Sequence, residues 1–148
     1  MEFNRYINRR LHEEHQGTLA LWGRLEASLA AGKPDPALMR SAAASLAGEI
    51  DRHFAFEETE LFPRMSAAGE GDIAELLAEE HVVIREAARR FMEVVKEDHL
   101  KREARALGLE LAERLVAHVQ KEEMSMLPAL EDLLDESADQ TLTESYVA

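Results

Sequence analysis

The chain has 148 residues, of which 46% are hydrophobic and 32% charged, a composition typical of one soluble globular domain. Its formal net charge of -13 argues against a nucleic-acid partner and against binding to an anionic membrane surface. The absence of cysteine excludes disulfides, zinc fingers and iron–sulfur clusters held by thiolates.

Apolar residues recur at helical spacing along four stretches of the chain. The first predicted helix covers residues 3–31 and ends at the Gly and Pro residues of 32–34. The second covers residues 35–65, with Asp35 as its N-cap and Pro36 in the first helical position. Pro63 is expected to end this second helix or to kink its last turn.

The third predicted helix covers residues 72–97, and Asp72 with Glu75 three residues later is typical of a helix N-cap. The fourth covers residues 101–134. Residues 137–148 are mostly polar and are expected to form a flexible tail, so the predicted domain spans residues 1–136. The expected fold is all-α: an up-down-up-down antiparallel four-helix bundle.

Nothing in the sequence predicts export or membrane insertion. The first residues lack the apolar core of a signal peptide, and no apolar run approaches membrane-spanning length. We therefore expect a cytoplasmic protein.

The sequence contains an internal repeat that carries histidines and glutamates. His53-Phe-Ala-Phe-Glu57-Glu58 recurs 65 residues later as His118-Val-Gln-Lys-Glu122-Glu123, and each copy is followed by a proline, Pro63 or Pro128. Residues 11–15 (Leu-His-Glu-Glu-His) match residues 77–81 (Leu-Ala-Glu-Glu-His) at an offset of 66. The chain is therefore expected to be two copies of one helical hairpin.

The positions of four histidines relative to the turns indicate that they share one level of the bundle. The residue midway between His15 and His53 is Pro34, and the residue midway between His53 and His81 is Ala67, beside a glycine-containing turn. Groups that meet on antiparallel neighbours lie about equally far from the turn between them. The midpoint between His81 and His118 therefore predicts a third turn at residues 98–100, which no Gly or Pro marks.

The spacing of histidine and glutamate suits metal binding inside a bundle. Positions i and i+4 lie on one helix face, about 6 Å apart, and bundle cores build di-metal sites from such pairs. Four imidazoles and two carboxylates are too many for one tetrahedral zinc. We predict two metal ions bridged by both carboxylates and by an oxo or hydroxo group. The six predicted ligands are His15, His53, Glu57, His81, His118 and Glu122.

The identity of the metal follows from the ligand types. Imidazole and carboxylate suit iron, manganese or zinc, and we expect two iron ions, with manganese or zinc as possible substitutes. Buried carboxylates are costly without a compensating cation, so metal binding is expected to stabilise the fold.

This set of residues resembles the hemerythrin-like, or HHE cation-binding, domain family over nearly the whole chain up to about Leu134. The family motif places a His on the first helix, His-x3-Glu on the second, His on the third, and His-x3-Glu or His-x4-Asp on the fourth. The six predicted ligands match it in order. The resemblance implies a four-helix bundle with a non-haem di-iron centre.

The chain departs from oxygen-carrying hemerythrins at one position. Those proteins have a fifth histidine four residues after the one on the third helix, where this chain has Arg85. The remaining set of four histidines and two carboxylates is similar to that of the iron–sulfur repair proteins. Those proteins carry an N-terminal domain with cysteines, which this chain lacks.

Three functions are therefore compatible with the sequence. The first is a binding protein, not an enzyme, that reversibly takes up O2 or NO as a sensor, scavenger or store. The second is a di-iron enzyme that reduces peroxide or oxidises ferrous iron, which an additional carboxylate such as Glu60 near the metals would favour. The third is donation of iron to damaged iron–sulfur clusters. No protein partner is indicated.

Other residues near the predicted ligands have two interpretations each. His12 is an alternative ligand or, as we expect, a partly exposed side chain, and His99 is expected at the surface. Arg85 is expected to face inward or to pair with an acid such as Glu60. Four glutamates adjacent to ligands are expected to be solvated or salt-bridged, or to accept hydrogen bonds from ligand histidines: Glu14, Glu58, Glu80 and Glu123. Four apolar residues are expected in the core, with a pocket lining as the alternative: Trp22, Phe56, Ile84 and Met126.

Overall fold

The computed structural model of the protein describes residues 2–98 and 101–147, which are almost entirely helical, with no strand among them. Three π-helical segments, Leu46–Ile50, Glu57–Leu61 and Glu122–Met126, connect α2 to α3, α3 to α4 and α6 to α7. The α-helices are α1 (Tyr6–Ala30), α2 (Pro36–Ser45), α3 (Asp51–Phe56), α4 (Phe62–Ala67), α5 (Gly71–Glu97), α6 (Arg102–Lys121), α7 (Leu127–Leu133) and α8 (Glu136–Val147). The expectation of an all-α fold is confirmed.

The four predicted helices correspond to four long helical stretches. Two of these are α1 and α5, and the other two are continuous from residue 36 to 67 and from residue 102 to 133. The third predicted turn falls between α5 and α6, but residues 99 and 100, including His99, lie outside the described part of the chain. Helix α1 packs against α2 and α6, and α5 packs against α2, α4 and α6.

The predicted N-cap of the second helix is confirmed, whereas that of the third is wrong. The Asp35 carboxylate accepts hydrogen bonds from the N–H groups of Ala37 and Leu38, at 3.0 and 3.2 Å. Helix α5 begins at Gly71, so Asp72 already lies inside its first turn and does not cap it. An acidic residue there still interacts favourably with the helix dipole.

Neither proline of the repeat ends its helical stretch, so of the two alternatives predicted for Pro63, an end to the second helix is wrong. A π-helical segment ends two residues before each proline. The Phe62 N–H donates to the Glu57 carbonyl, five residues back, and the Leu127 N–H donates in the same way to Glu122. Because proline has no N–H and crowds the preceding turn, a locally widened turn lets the helix continue. Such π segments are frequent at functional sites.

The predicted flexible tail is also wrong, because residues Glu136–Val147 form helix α8. Asp139, Leu142 and Tyr146, spaced three and four residues apart, are all buried. They form one face of α8, which packs against α1. The segment is too short and too polar for this stripe to be recognised from the sequence.

The C-terminal part of the chain caps the start of α1. No side chain of α1's own N-terminal turn caps it. The two Asp139 carboxylate oxygens instead accept hydrogen bonds from the N–H groups of Tyr6 and Ile7, both at 2.9 Å. Glu131 accepts from the N–H groups of Asn4 and Arg5, at 3.0 and 2.9 Å. These bonds satisfy donors that every helix N-terminus leaves free.

We expect Asp139→Ala to destabilise the protein by about 1–2 kcal/mol, because two capping hydrogen bonds to a charged acceptor are lost. For a chain of this size the melting temperature should fall by about 3–6 °C. Thermal unfolding followed by circular dichroism measures the change. The matched control is Asp132→Ala, which removes an exposed aspartate on α7. Equal melting temperatures for the two variants would refute the capping role.

Buried apolar residues form two separate clusters. One is centred on Trp22, Phe54 and Phe91, and the other contains Leu11, Phe62 and Tyr146. The buried polar side chains that belong to neither cluster are Asn8, His15, His53, Glu57, His81, His118, Glu122 and Asp139. No helix in the described ranges combines the length and the apolar character needed to cross a membrane.

Candidate metal centre

The structure brings all six predicted ligands together in the interior. They form two groups of four: His15, His53, Glu57 and Glu122, and Glu57, His81, His118 and Glu122. Within each group the possible ligand atoms lie within 4.8 Å of one another. None of the six residues is more than 6% exposed. The two groups share both glutamates, so the geometry can accommodate two neighbouring cations.

Local helix geometry positions the repeated His-x3-Glu pairs. His53 lies in α3 and Glu57 begins the following π-helical segment, with His53 Nε2 2.9 Å from a Glu57 carboxylate oxygen. His118 lies in α6 and Glu122 begins the next π-helical segment, with 3.3 Å between the corresponding atoms. Both pairs follow the predicted i, i+4 spacing. The single histidines, His15 and His81, come from α1 and α5.

The Nε2 atoms of the four imidazoles face the shared glutamates. His15 Nε2 lies 3.0 Å from Glu122 Oε1, and His81 Nε2 lies 3.1 Å from Glu57 Oε1. His81 Nε2 is also 3.0 Å from His118 Nε2. Helices from both copies of the repeat therefore direct possible ligand atoms to one small volume.

The other ring nitrogen of each histidine faces a further carboxylate. The four pairs of Nδ1 and acceptor are His15 with Glu123 at 2.6 Å, His53 with Glu14 at 3.0 Å, His81 with Glu58 at 2.7 Å, and His118 with Glu80 at 2.8 Å. Because an ionised carboxylate only accepts, each Nδ1 carries a hydrogen. In a neutral imidazole this leaves the lone pair on Nε2, directed at the centre of the site.

This arrangement fits metal cations. The Nε2 atoms of His81 and His118 approach so closely that neutral rings would oppose two lone pairs unless a proton or a metal ion lay between them. Glu57 Oε1 and Glu122 Oε2 are buried and accept no hydrogen bond, although His81 and His118 nitrogens lie 3.1 and 3.3 Å away. Those short approaches lack hydrogen-bond geometry. Buried acceptors of this kind are costly unless a cation satisfies them.

Without metal, the site is expected to hold protons instead. Burial alone would lower the pKa of His15, but its hydrogen bonds to Glu122 and Glu123 outweigh burial and raise the pKa to about 9. In the same way, contacts with carboxylates overcome burial to raise the pKa of His81 to about 9 and that of His53 to about 10. Burial would raise the pKa of Glu122, but the surrounding histidines hold it well below its usual range.

The outer carboxylates are also held in the ionised form. Burial would raise the pKa of Glu14, but hydrogen bonds from His53 and Tyr146 lower it to about 2. Hydrogen bonds from Arg85 and His81 likewise overcome burial and lower the pKa of Glu58. The four Nδ1 partners are therefore acceptors that keep their charge.

Three other residues considered in the sequence analysis, Glu60, Arg85 and His12, lie outside the two ligand groups. Glu60 is partly buried and Arg85 is partly exposed, and neither belongs to the two ligand groups. Arg85 does pair with acids, but with Glu58 at 2.5 Å and Asp51 at 3.1 Å, so the suggested partner Glu60 is wrong. His12 is also outside both groups and contacts Glu123 at 2.5 Å, with 32% of its side chain exposed.

Aromatic rings and a pocket border the site. Phe54 stacks on the His81 ring with centroids 3.7 Å apart and an angle of 5° between the rings. A pocket of about 360 Å³ is lined by His15, His53 and Glu122 together with apolar residues that include Trp22. Of the four residues with a possible pocket role, Trp22 lines this pocket, Ile84 lines a second one beside His118, and Phe56 and Met126 belong to the core.

The sequence did not predict that each outer carboxylate accepts a hydrogen bond from a different ligand histidine. The signal was present, since each of them is directly adjacent in sequence to a predicted ligand. Their partners, however, lie on other helices, and only the packing of those helices identifies them. Nothing in the sequence predicted the contact of Tyr146 with Glu14, because helix α8 was not predicted.

Comparison with known proteins gives a family but no individual relative. Neither the curated proteins nor the solved structures gave a match. The hemerythrin HHE cation binding domain matches residues 6–140, which include all six predicted ligands. The buried His and Glu groups are compatible with the cation binding that this domain name states. The chain belongs to the hemerythrin HHE cation binding domain family.

Proposed function

We propose that the protein is a non-haem di-iron protein that reversibly binds O2 or NO, with His15, His53, Glu57, His81, His118 and Glu122 as its metal ligands. The observation that carries this proposal is the sharing of Glu57 and Glu122 between two groups of possible ligands. In this arrangement each ion would receive two imidazoles and an oxygen from each bridging carboxylate. The four long helical stretches would form an up-down antiparallel bundle around the pair.

The chemistry of the donor set supports iron as the resident metal. Mixed imidazole and carboxylate ligands suit iron, manganese or zinc, and bundle cores commonly hold di-iron pairs. Bound iron would supply the redox change that accompanies uptake of O2 or NO. The protein side chains would hold the ions, exclude bulk water and leave room for a small ligand, since six protein ligands do not fill the coordination of two ions.

The pocket beside His15 and His53 supports access by a small molecule. Glu122 also lines it, so the pocket reaches one of the proposed bridging ligands. Its volume of about 360 Å³ is ample for a diatomic ligand. Phe54, which also lines this pocket, covers one face of His81 by stacking on its ring.

An enzymatic function has less support. The sequence argument for it depended on Glu60 as an additional carboxylate near the metals, and Glu60 lies outside both ligand groups. We therefore place reversible binding first.

The test is a spectroscopic titration of the iron-loaded, reduced protein. Exposure to O2 should produce a visible absorption band that disappears when O2 is removed, and NO should change the spectrum reversibly. Irreversible oxidation without such a band, together with no response to NO, would refute the proposed function. Sustained turnover of peroxide or ferrous iron would instead identify an enzyme.

We expect Gly17→Leu to slow ligand association roughly tenfold, a change within the usual range for variants of one binding site. Gly17 lines the pocket, and a Cβ added there meets no atom within 4 Å, so a side chain can start at this position without a clash at its Cβ. The control is Gly23→Leu on the same helix, where an added Cβ also meets no atom within 4 Å but which is not among the residues lining the pocket. Stopped-flow mixing with NO measures both rates. Equal rates for the two variants would show that the pocket is not the route.

A further inference from the structure

We propose that Glu14, Glu58, Glu80 and Glu123 form a closed ring of positioning residues that orient the four ligand histidines. In this ring, Arg85 is the outer anchor of Glu58. The inference rests on the proposed function, because the ring prepares the imidazoles for metal ions. It concerns residues other than the six ligands. One of them is Arg85, at the position where oxygen-carrying hemerythrins have a fifth histidine.

The ring runs in one direction around the helices. Glu14 on α1 binds His53 on α3, and Glu58, in the π-helical segment after α3, binds His81 on α5. Glu80 on α5 then binds His118 on α6, and Glu123, in the π-helical segment after α6, returns to His15 on α1. Each long helical stretch therefore supports the histidine of the next one, and the last supports the first.

The ring also joins the two copies of the repeat. The hydrogen bonds that His53 donates to Glu14 and that His118 donates to Glu80 each lie within one copy. Those that His81 donates to Glu58 and that His15 donates to Glu123 each cross from one copy to the other. The four bonds follow the internal symmetry of the sequence, because the equivalent residues of the two copies lie 65 or 66 residues apart: Glu14 and Glu80, His53 and His118, Glu58 and Glu123, and His15 and His81.

Each carboxylate of the ring has a second, outer partner that carries or can carry positive charge. Lys121 contacts Glu80, and Arg52 contacts Glu14 at 3.3 Å. The outer partner of Glu123 is His12, and that of Glu58 is Arg85, both at 2.5 Å. Tyr146 additionally donates to Glu14. An acceptor held from both sides has little freedom to rotate away from its histidine.

The outer partners are not repeated in the sequence, unlike the ring itself. Arg85 is four residues after His81, where a fifth histidine would be a metal ligand. The guanidinium cannot be deprotonated to bind a metal, and the side chain instead reaches Glu58 and Asp51. We infer that this position supports His81 through Glu58, so the centre keeps four histidines.

The physical effect on the metal is indirect but measurable. A carboxylate that accepts from Nδ1–H fixes the tautomer and ring orientation and makes the imidazole a stronger donor at Nε2. Loss of such a partner typically lowers metal affinity by about 10- to 100-fold. A weaker donor also stabilises the oxidised ions less, so the reduction potential should become more positive.

The test uses the zinc-loaded protein, because diamagnetic zinc permits NMR of histidine labelled with 15N. Four slowly exchanging imidazole protons should appear, all on Nδ1 of His15, His53, His81 and His118. In Glu58→Gln, the His81 proton should shift and exchange faster, zinc affinity should fall about 10-fold or more, and the iron-loaded variant should have a more positive potential. Arg85→Gln should move the same proton by a smaller amount.

Two matched control variants distinguish the loss of a group that orients a histidine from a general disturbance of the fold. Glu60→Gln removes a partly buried carboxylate two residues from Glu58. Arg89→Gln removes an exposed arginine one turn from Arg85 that pairs with Glu86 and Glu93. Both controls should leave the four protons and the potential unchanged. Thermal unfolding of each metal-free variant checks that the fold is retained.

The outcomes distinguish the ring from the metal centre itself. If the wild type binds two ions but the protons lie on Nε2, or if Glu58→Gln behaves like Glu60→Gln, the ring is refuted and the proposed function stands. If the wild type binds neither zinc nor iron, the proposed metal centre is refuted. Movement of the His81 proton in Glu58→Gln and Arg85→Gln, with both controls unchanged, supports the ring.

Discussion

Replacing Glu122 by Ala is expected to abolish most metal binding. Glu122 belongs to both ligand groups, and its side chain lies within 3.9 Å of Nε2 of all four histidines. Iron content should fall from about two ions per chain, as in di-iron bundles, to fewer than one. Elemental analysis of protein expressed with iron measures this.

The same substitution should remove the stabilisation that bound metal provides. A ligand present at a thousandfold excess over its Kd stabilises a fold by about 4 kcal/mol. At about 3 °C per kcal/mol for a chain of this size, the melting temperature of iron-loaded protein should fall by about 12 °C. Glu60→Ala is the control, since it removes a nearby carboxylate outside the ligand groups. Equal iron content in the two variants would show that Glu122 is not a ligand.

Metal-free protein should lose stability as the pH rises from about 6.5 towards 10. The pKa values of His15 and His81 are raised to about 9, and that of His53 to about 10. A histidine whose pKa is raised in the folded state stabilises the fold fully below its unfolded pKa, near 6.5. That contribution is lost as the pH passes the folded value. Thermal melts after chelation, at several pH values across this range, measure the loss.

The stabilisation that bound metal provides should instead increase as the pH rises. Metal ions compete with protons for Nε2, so binding is weak at low pH and releases protons at neutral pH. The difference in melting temperature between loaded and metal-free protein should therefore grow from pH 6 to pH 9. A pH indicator in weak buffer should also report acidification when metal is added. A constant difference, with no proton release, would contradict this account of the site.

The clustering of the predicted ligands illustrates what sequence periodicity can establish. His53 with Glu57, and His118 with Glu122, are i, i+4 pairs whose shared face follows from helix geometry alone. The repeat and the positions of the turns then placed His15 and His81 at the same level. Each step depended on helices joined by short turns, and the π-helical segments that interrupt two of the four stretches do not prevent the six side chains from meeting.

The errors have a common physical origin in tertiary contacts. Pro63 was expected to end a helix or to kink its last turn, but the helical stretch continues past it to residue 67 after a π-helical segment. Residues 137–148 were expected to be a flexible tail, but Leu142 and Tyr146 are buried in helix α8. Local propensity does not report such packing. The partner of Arg85 was wrong for the same reason, because Glu58 and Glu60 differ only in the direction in which the helix presents them.

The capping of α1 by α8 has a consequence for the order of events during synthesis. Asp139 lies 132 residues after Ile7 and accepts a hydrogen bond from its N–H, so the first helix lacks this cap until residue 139 has been synthesised. Tyr146 reaches Glu14 on that same helix even later in translation. Because proteins are made from the N-terminus at about 5–20 residues per second, α1, which carries the first-made of the four histidines, gains this cap only after the other three histidines have been made. We therefore expect the proposed metal site to be fully assembled only after α8 has been synthesised.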